Sequence, residues 1–355
     1  MRKLVIDRAA IKNNLTVIKD RAAGAAIYGV VTGDGQGVGA AALAQLLRDE
    51  GIGRFAVSEV SEAEALRQAG FVDEEILMLR ATTDREELER LVDLNVVCTV
   101  SSVDTGMALN ALAGNRSTVA EAHIQVDTGM GFGGFLVSEP EKLLLAYRSM
   151  PNVALSGVYT QLHAARPNDP QAKRQLEQFQ QALDAIHQAG FETGVVHAAG
   201  SSALMGTDEA RLDAVRVGSA FLGRCRRTRD DGLKTVGFGQ APLTEVRWLP
   251  KGHVLGVDRP VTLKKPTRVA VLPVGYQNGF GVTRPRETGL LAAIARWRKN
   301  NRRTVRLGSQ RARVLGGLGA SELILDVTDL KCSVGDLATF EMDPLFARGF
   351  QVEFR

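Results

Sequence analysis

Short apolar runs rich in β-branched residues alternate with amphipathic stretches along the first two thirds of the chain. This alternation predicts βα units, in which each strand is followed by a helix that crosses back over the sheet. The runs lack regular polar alternation, which is typical of parallel strands buried on both faces. Eight such runs are found, at Ala25–Val31, Arg54–Val57, Ile76–Leu79, Val96–Val100, Ala122–Val126, Ala154–Thr160, Val195–Ala198 and Ala214–Val217.

Eight strands joined by helical crossovers predict an α/β fold of the (β/α)8 barrel type. A doubly wound open sheet is the alternative, because sequence periodicity does not distinguish an open sheet from a closed one. Capping residues and terminal glycines support predicted helices between the strands. These helices are Ala41–Glu50, Ser61–Gly70, Asp84–Asn95, Pro140–Ser149 and Gln171–Gly190.

The pattern changes after about Arg229, where short strand-like runs separated by turn residues replace the βα alternation. We therefore predict a barrel domain over residues 1–229 and a mainly β domain over residues 230–355, with residues 224–232 as the linker. Only Gly289–Lys299 is predicted to be helical in the second domain. Its predicted strands are Glu245–Leu249, Thr267–Leu272, Val305–Leu307, Arg311–Val314, Leu323–Val327 and Ala338–Glu341.

The composition is that of a folded chain that stays in a reducing compartment. The sequence has 355 residues, 45% of them hydrophobic, and only three cysteines, which form neither a disulfide framework nor a metal-binding motif. We expect no bound metal. No apolar run is long enough to span a membrane and the N-terminus lacks a secretory signal, so we expect a cytoplasmic location and no membrane partner.

Positive charge is concentrated in one segment of the second domain. Residues 284–313 contain ten Lys and Arg but one acid, Glu287, whereas the whole chain has a net charge of +4. Such a segment can bind a nucleic acid or another polyanion. Because no aromatic stacking residues accompany it, a solvated basic face is the preferred interpretation and nucleic-acid binding the weaker one.

In a barrel of this type, ligands bind at the carboxyl ends of the strands. The Gly-Ser pairs Gly200-Ser201 and Gly218-Ser219 follow the seventh and eighth predicted strands. Backbone N–H groups and hydroxyls in such loops suit a bound phosphate, although glycine and serine are also ordinary turn residues.

Several motifs together resemble the alanine racemase family. They are VVTGDGQGVG, IQVDTGMGFGGF, GVYTQLHAA, HAAGSSALM, DAVRVGSAFLG and LPVGYQNGFGV, in this order along nearly the whole chain. The resemblance implies a pyridoxal-phosphate barrel followed by a β domain, and a homodimer whose subunits share each site.

The resemblance also implies roles for individual residues. Arg216 matches the arginine that hydrogen-bonds the pyridine nitrogen of the cofactor, and His197 the histidine that orients this arginine. Tyr276 matches the second catalytic base, contributed by the partner subunit. For Arg216 the alternative is an ion pair with Asp213 or Asp127, and for Tyr276 a packing role in a turn. The positions that match phosphate-binding residues are Ser201, Gly218 and Ser219.

The departures from the family pattern concern the same site. Thr32 stands where the family has the lysine that binds the cofactor as a Schiff base, and a threonine hydroxyl neither forms an imine nor titrates near neutral pH. Gln36 replaces a tyrosine that helps to bind the cofactor phosphate, and Phe132 replaces an arginine. Gln161 replaces a histidine, for which His163 is a candidate substitute.

Further departures weaken the match outside the first motif. Gln125 stands where many members carry a lysine or an acid, and Gly200 replaces an asparagine. The Met-Asp pair of the family is not recognisable in residues 316–320.

We therefore expect an alanine-racemase-like protein that does not racemise amino acids through a lysine-bound cofactor. Its site at the barrel mouth is expected to bind a small phosphorylated or carboxylated ligand, or to catalyse a cofactor-independent step with Tyr276 or His163. One alternative is a racemase that binds pyridoxal phosphate non-covalently. The other is a regulatory or nucleic-acid-associated scaffold that uses residues 284–313.

Overall fold

The fold is described from a computed structural model, which covers residues 1–163, 169–225, 231–256, 260–284 and 303–355. The chain forms two compact units. One is Ala9–Thr235, and the other combines Met1–Arg8 with Val236–Arg355. The boundary predicted between residues 229 and 230 lies outside the described residues.

The first unit contains a parallel sheet of eight strands, arranged in the order β4-β3-β2-β10-β9-β8-β6-β5, with a short strand β7 beside β6. Numbered along the whole chain, its strands are β2 (Ala26–Val30), β3 (Arg54–Val57), β4 (Glu75–Met78), β5 (Cys98–Val100), β6 (Ala120–Asp127), β7 (Phe135–Leu136), β8 (Val153–Tyr159), β9 (Val195–Gly200) and β10 (Ala214–Val217). All eight predicted strands are present.

The sheet closes on itself between its two outer strands, β4 and β5. Val97, just before β5, donates to the carbonyl of Ile76, and Met78 donates to the carbonyl of Val97, each at 2.8 Å. A parallel bridge joins Leu77 to Val97. The predicted barrel is therefore confirmed, and the alternative of an open doubly wound sheet is wrong.

Helices follow most of the strands, as the pattern predicted. Asp84 caps one of them by accepting a hydrogen bond from the Glu87 N–H at 2.9 Å. No helix in the described ranges is long and apolar enough to cross a membrane. The helices are α1 (Arg8–Ala22), α3 (Ala40–Asp49), α4 (Val60–Gln68), α5 (Arg85–Asp93), α6 (Val103–Asn115), α7 (Pro140–Ser149), α8 (Pro170–Gln188) and α9 (Ser201–Leu204), and α2 (Thr32–Gly37) is a short left-handed turn.

The barrel interior is built from alternate residues of the strands, because successive side chains of a strand point to opposite faces. Small and aliphatic side chains pack around Tyr28 in a fully buried cluster. Beside this cluster, the interior also holds histidine, arginine and tyrosine side chains, which are described below. The cluster consists of Tyr28, Ala56, Leu77, Val97 and Ala214.

The second unit is mainly β, as predicted, and its main sheet has nine strands in the order β12-β15-β18-β17-β16-β19-β11-β1-β20. Neighbouring strands are antiparallel except β1 and β20. The strands at one end of this sheet, β11, β1 and β20, were not predicted. The predicted helix Gly289–Lys299 lies outside the described residues. The strands of this unit are β1 (Lys3–Ile6), β11 (Phe238–Pro242), β12 (Glu245–Leu249), β13 (Val254–Leu255), β14 (Val261–Thr262), β15 (Thr267–Leu272), β16 (Thr304–Leu307), β17 (Gln310–Leu315), β18 (Leu323–Asp326), β19 (Leu337–Glu341) and β20 (Gln351–Phe354).

Candidate ligand site at the barrel mouth

The chain makes a left-handed turn immediately after strand β2. Gly33, Asp34, Gly35 and Gln36 have φ angles of 64°, 52°, 63° and 58°, a conformation that residues other than glycine adopt rarely. A Cβ atom on Gly35 would lie 2.9 Å from the backbone nitrogen of Ala40, so this position requires glycine. Asp34 and Gln36 therefore keep this conformation only because other contacts hold it.

Two carboxylates hold this turn through backbone amides. Glu62 accepts hydrogen bonds from the Gly33 N–H at 2.6 Å and from the Ser58 N–H at 2.9 Å. Asp34 accepts from the Ala40 N–H at 2.9 Å. The sequence analysis placed Glu62 only within the predicted helix Ser61–Gly70, and its role as the anchor of the turn was missed.

Thr32 and Gln36 meet at the two ends of the turn. The Gln36 amide Nε2 donates to the Thr32 hydroxyl oxygen at 3.2 Å and to its carbonyl oxygen at 3.1 Å. Gln36 is buried and Thr32 half-buried. A Cβ atom on Gly218 would stand 3.5 Å from the Gln36 Nε2, so the carboxamide reaches the end of strand β10.

The two Gly-Ser pairs lie together, as predicted for the ends of neighbouring strands. The Ser201 Oγ accepts from the Gly218 N–H at 3.0 Å and from the Ala220 N–H at 3.3 Å. Among the described residues, no group hydrogen-bonds the backbone N–H or the hydroxyl of Ser219. Hydroxyl and amide donors therefore converge on one side of the barrel mouth, together with the carboxamide of Gln36.

Arg216 lies inside the barrel with its guanidinium directed at neutral acceptors. Its Nη1 is 2.6 Å from the His197 Nδ1, and its Nη2 donates to the Thr160 carbonyl at 2.7 Å and to the Gln161 Oε1 at 2.9 Å. The guanidinium carbon also lies 4.9 Å from the centroid of the Tyr159 ring.

No ion pair of Arg216 is found in the described part of the chain. The alternative of an ion pair with Asp213 or Asp127 is wrong, because both carboxylates bind backbone amides. Asp213 accepts from the Val196 N–H at 2.9 Å, and Asp127 accepts from the Gly129 N–H at 2.8 Å. Burial without a counter-ion lowers the pKa of Arg216 to about 10, which still leaves it charged at neutral pH.

A second histidine continues the hydrogen bonds of Arg216 into the barrel. His197 lies between the rings of Tyr28 and Tyr159, with centroids 5.4 and 5.0 Å away, and its Nε2 is 2.9 Å from the His123 Nδ1. Burial, and next the charge of Arg216, lower the pKa of His123 to about 3 and that of His197 well below its ordinary value. The sequence analysis missed His123, although a histidine between the apolar residues Ala122 and Ile124 of a predicted strand was a signal for it.

The two predicted catalytic residues are not part of these groups. The His163 N–H donates to the Gln175 Oε1 at 2.9 Å, while nothing in the described ranges hydrogen-bonds its buried Nε2. Tyr276 belongs to the second unit, where it begins a 3-10 turn, is 52% exposed and donates from its backbone to Gly319 at 3.1 Å. Their proposed roles remain predictions.

Two departures from the family pattern lie on or after strand β6. Phe132, in the glycine-rich loop, is 79% exposed, and Gln125 is half-buried within the strand. At the start of α9, a Cβ atom on Gly200 would meet the Gln161 Nε2 at 3.4 Å.

None of the lysines of the first unit lies on a barrel strand or in the turn after β2. The sequence from residue 9 to residue 235 contains five lysines. Four are on helices and one is in the segment that follows β10; they are Lys12, Lys19, Lys142, Lys173 and Lys234. The described residues also contain no group of three or more His, Cys, Asp or Glu that could hold a metal ion.

A parallel eight-stranded barrel with polar groups gathered at the carboxyl ends of β2, β9 and β10 defines an α/β-barrel protein, and the mouth of the barrel is its candidate ligand site. Family models agree with this architecture in both units. The model of the alanine racemase N-terminal domain matches residues 6–225, and that of the C-terminal domain matches residues 239–343. The chain belongs to the alanine racemase family.

Individual relatives support the same family. The chain is 31% identical over 278 residues to the alanine racemase of Carboxydothermus hydrogenoformans, covering 76% of this chain and 74% of that protein. It is 28% identical over 337 residues to that of Clostridium novyi, covering 93% and 82%.

Solved structures show the same fold. An alanine racemase of Clostridium difficile superposes with a TM-score of 0.86 at 21% identity, covering 100% of this chain and 95% of that one. The alanine racemase of Bartonella henselae, solved with covalently bound pyridoxal phosphate, gives a TM-score of 0.84 at 21% identity, covering 100% and 99%.

Proposed function

We propose that this protein uses the alanine racemase fold to bind a small phosphorylated or carboxylated ligand without covalent attachment, and that it does not racemise amino acids through a lysine-bound cofactor. The observation that carries the proposal is Thr32. It is the first residue of the turn after β2, where the family resemblance implies a lysine, and its hydroxyl accepts a hydrogen bond from the Gln36 amide.

The positions of the other lysines support the proposal. A lysine forms a Schiff base at a barrel mouth only if its amine reaches the carboxyl ends of the strands. In the first unit, Lys12 forms an ion pair with Glu50 at 3.0 Å, and Lys142 one with Glu139 at 2.8 Å. Because no lysine of this unit lies on a barrel strand or in the turn after β2, the residues at this position do not fit a covalently bound pyridoxal phosphate.

The remaining polar groups favour an anionic ligand. The Gln36 amide, the Ser201 hydroxyl, and the N–H and hydroxyl of Ser219 are neutral donors of the kind that bind phosphate or carboxylate oxygens. Arg216 adds a fixed positive charge to the barrel interior. A phosphate monoester is therefore the preferred ligand class, and non-covalent pyridoxal phosphate is one member of it.

We also propose a homodimer, because that is what membership of the family implies. Tyr276 is then the residue that each β unit offers to the site of the other subunit. Its 52% exposed side chain is consistent with such a role. If the protein is monomeric in solution, the catalytic role proposed for Tyr276 is withdrawn.

Borohydride trapping in the presence of pyridoxal phosphate tests the main proposal. Borohydride reduces an imine to a stable secondary amine, so a lysine that binds the cofactor keeps a pyridoxyl group that peptide mass spectrometry locates. We expect no adduct on the peptide containing Thr32 or on any other peptide of the barrel unit. The variant Thr32→Lys combined with Gln36→Tyr is expected to acquire an adduct at residue 32, and the matched variant Thr32→Met is not.

Racemisation assays separate the alternatives. Alanine turnover by the unmodified protein with added pyridoxal phosphate would contradict the proposal and restore a racemase. A stoichiometric adduct on a barrel lysine would likewise refute the claim that no lysine of this unit binds the cofactor as an imine. Retention on heparin that declines steeply with salt, without small-ligand binding, would instead favour the scaffold that uses residues 284–313.

A further inference from the structure

Arg216 is a buried cation, and the orientation of its guanidinium group depends on hydrogen-bond acceptors rather than on a counter-ion. Four of its contacts are to the His197 Nδ1, the His197 carbonyl, the Thr160 carbonyl and the Gln161 Oε1. Three of these acceptors are carbonyl oxygens, which accept in every protonation state. The fourth, His197 Nδ1, accepts only if it carries no proton.

The donor and acceptor rules allow one arrangement of protons along this chain of groups. A guanidinium has only donors, so the His197 Nδ1, 2.6 Å from the Arg216 Nη1, must be unprotonated. The proton of neutral His197 then lies on Nε2, which donates to the His123 Nδ1 at 2.9 Å. His123 must therefore also be unprotonated at Nδ1 and carry its proton on Nε2.

Within the described part of the chain, His123 is the group that hydrogen-bonds the His197 Nε2. The ring is fully buried and lies nearly parallel to both tyrosines, at 26° to Tyr28 and 14° to Tyr159. His123 is also buried, 1% exposed, and packs closely over Gly157. A donor buried without a partner costs about 1–3 kcal/mol, which is as large as the contribution of about 1.5–3 kcal/mol from the hydrogen bond of the charged Arg216, so the acceptor on His123 weighs on the tautomer of His197 as much as Arg216 does.

We propose that His123 is a positioning residue, which holds His197 in its Nε2–H tautomer and thereby fixes the Arg216 guanidinium for the ligand. Without an acceptor at His123, His197 places its proton on Nδ1, where it faces the Arg216 N–H groups, and the guanidinium turns away. The use of Arg216 by a ligand rests on the proposed function, whereas the tautomer of His197 does not.

Imidazole nitrogen shifts test the tautomer directly. The chain has five histidines, so ¹⁵N-histidine labelling gives a spectrum that single-histidine substitutions assign. In the unmodified protein we expect His197 and His123 as Nε2–H tautomers. If His197 is found with its proton on Nδ1, or doubly protonated, at neutral pH, the proposal is wrong whatever the variants do.

Two substitutions at His123 separate positioning from packing. His123→Leu fills the space but removes the acceptor, and we expect His197 to change tautomer. His123→Asn is smaller, but its Oδ1 stands near the former Nδ1 and restores the acceptor, so we expect the Nε2–H tautomer to return. If Asn and Leu give the same His197 spectrum, the positioning role is refuted. His187→Leu, at an exposed helical histidine, is the control that leaves both signals unchanged.

Binding of pyridoxamine 5′-phosphate tests the consequence for the ligand, because this amine forms no imine with lysine. We expect His123→Leu to weaken binding about tenfold and His123→Asn about twofold or less. Equal losses in the two variants would contradict the proposal. If the unmodified protein does not bind this probe, the proposed ligand class fails, while the nitrogen spectra still decide the role of His123.

Discussion

The two buried histidines make a quantitative prediction about acid stability. Both have a folded-state pKa below the ordinary 6.5, to about 3 for His123, because burial and the charge of Arg216 oppose protonation. Below pH 6.5 the unfolded chain binds protons that the folded chain refuses. The contribution of these two histidines to the free energy of unfolding is therefore fully present above about pH 6.5 and is lost as the pH falls toward 3.

The size of this effect follows from the number of protons. Lowering the pH from 7 to 5 costs about 2 kcal/mol for each histidine that stays neutral in the folded state, hence about 4 kcal/mol for the pair. The variant His123→Asn removes one of these groups. We expect its free energy of unfolding to decrease by about 2 kcal/mol less than that of the unmodified protein over the same interval.

The assay must report on the barrel unit. Both tryptophans, Trp248 and Trp297, fall within the span Val236–Arg355 of the second unit, so the barrel unit contains no tryptophan to report on it. Far-ultraviolet circular dichroism follows the helices of the barrel and is the signal to use in guanidinium titrations at pH 7, 6 and 5. The carboxylates contribute equally to the pH dependence of the unmodified protein and of His123→Asn, so their contribution cancels from the difference between the two. If both lose stability equally between pH 7 and 5, His123 is protonated in the folded state and the reasoning is refuted.

Three further substitutions test individual contacts of the barrel unit, each measured by the same titrations. Gly157→Ala places a Cβ 2.6 Å from the His123 Nε2, and we expect it to lower the free energy of unfolding by about 1–3 kcal/mol. In the control Gly53→Ala the new Cβ enters open space, and we expect no loss of stability. Equal effects of the two substitutions would contradict the close packing of His123 over Gly157. Glu62→Gln turns a hydrogen-bond donor toward backbone N–H groups at the left-handed turn, and we expect it to lower the free energy of unfolding by about 1–3 kcal/mol. Its control is Glu64→Gln, expected to cost less than about 1 kcal/mol, because the Glu64 carboxylate pairs with Arg90 near the surface. A larger loss for Glu64→Gln than for Glu62→Gln would refute the role of Glu62 as the anchor of the turn. Asp84→Ala removes the cap of α5 and is expected to cost about 1 kcal/mol, while an unchanged midpoint would show that the cap contributes nothing.

Most of the barrel could be predicted because its strands are buried on both faces and stand out as apolar runs. Arg54–Val57 and Ala214–Val217 begin and end where the sequence placed them. Closure of the sheet was not visible in the same way, since it requires the first barrel strand, β2, to pair with the last, β10, which lies more than 180 residues later in the chain.

The unpredicted strands share one cause. Strand β1 (Lys3–Ile6) pairs with β11 and β20, which come more than 200 residues later in the chain. A four-residue run at the N-terminus gives no local sign of such distant partners. Pairing of this kind is decided by tertiary contacts, which outweigh local β propensity.

The sequence indicated several residues of the candidate site but not the contacts between them. The resemblance to the family identified Arg216, His197 and Ser201, and the structure adds which atoms they contact. His123 was missed because the motif of strand β6 begins one residue after it, at Ile124. Its significance depends on a contact between two strands, at 2.9 Å from His197, which no single run of sequence expresses.

The carboxylates of Glu62 and Asp34 hold the turn after β2 by its main chain alone. Whatever side chain residue 32 carries, these anchors present it at the same place above the barrel. The shape of this turn and the chemical group that it presents are thus encoded by different positions, so the side chain of residue 32 can change during evolution while the barrel around it stays the same. For the same reason, this turn is a natural starting point for installing new nucleophiles by single substitutions.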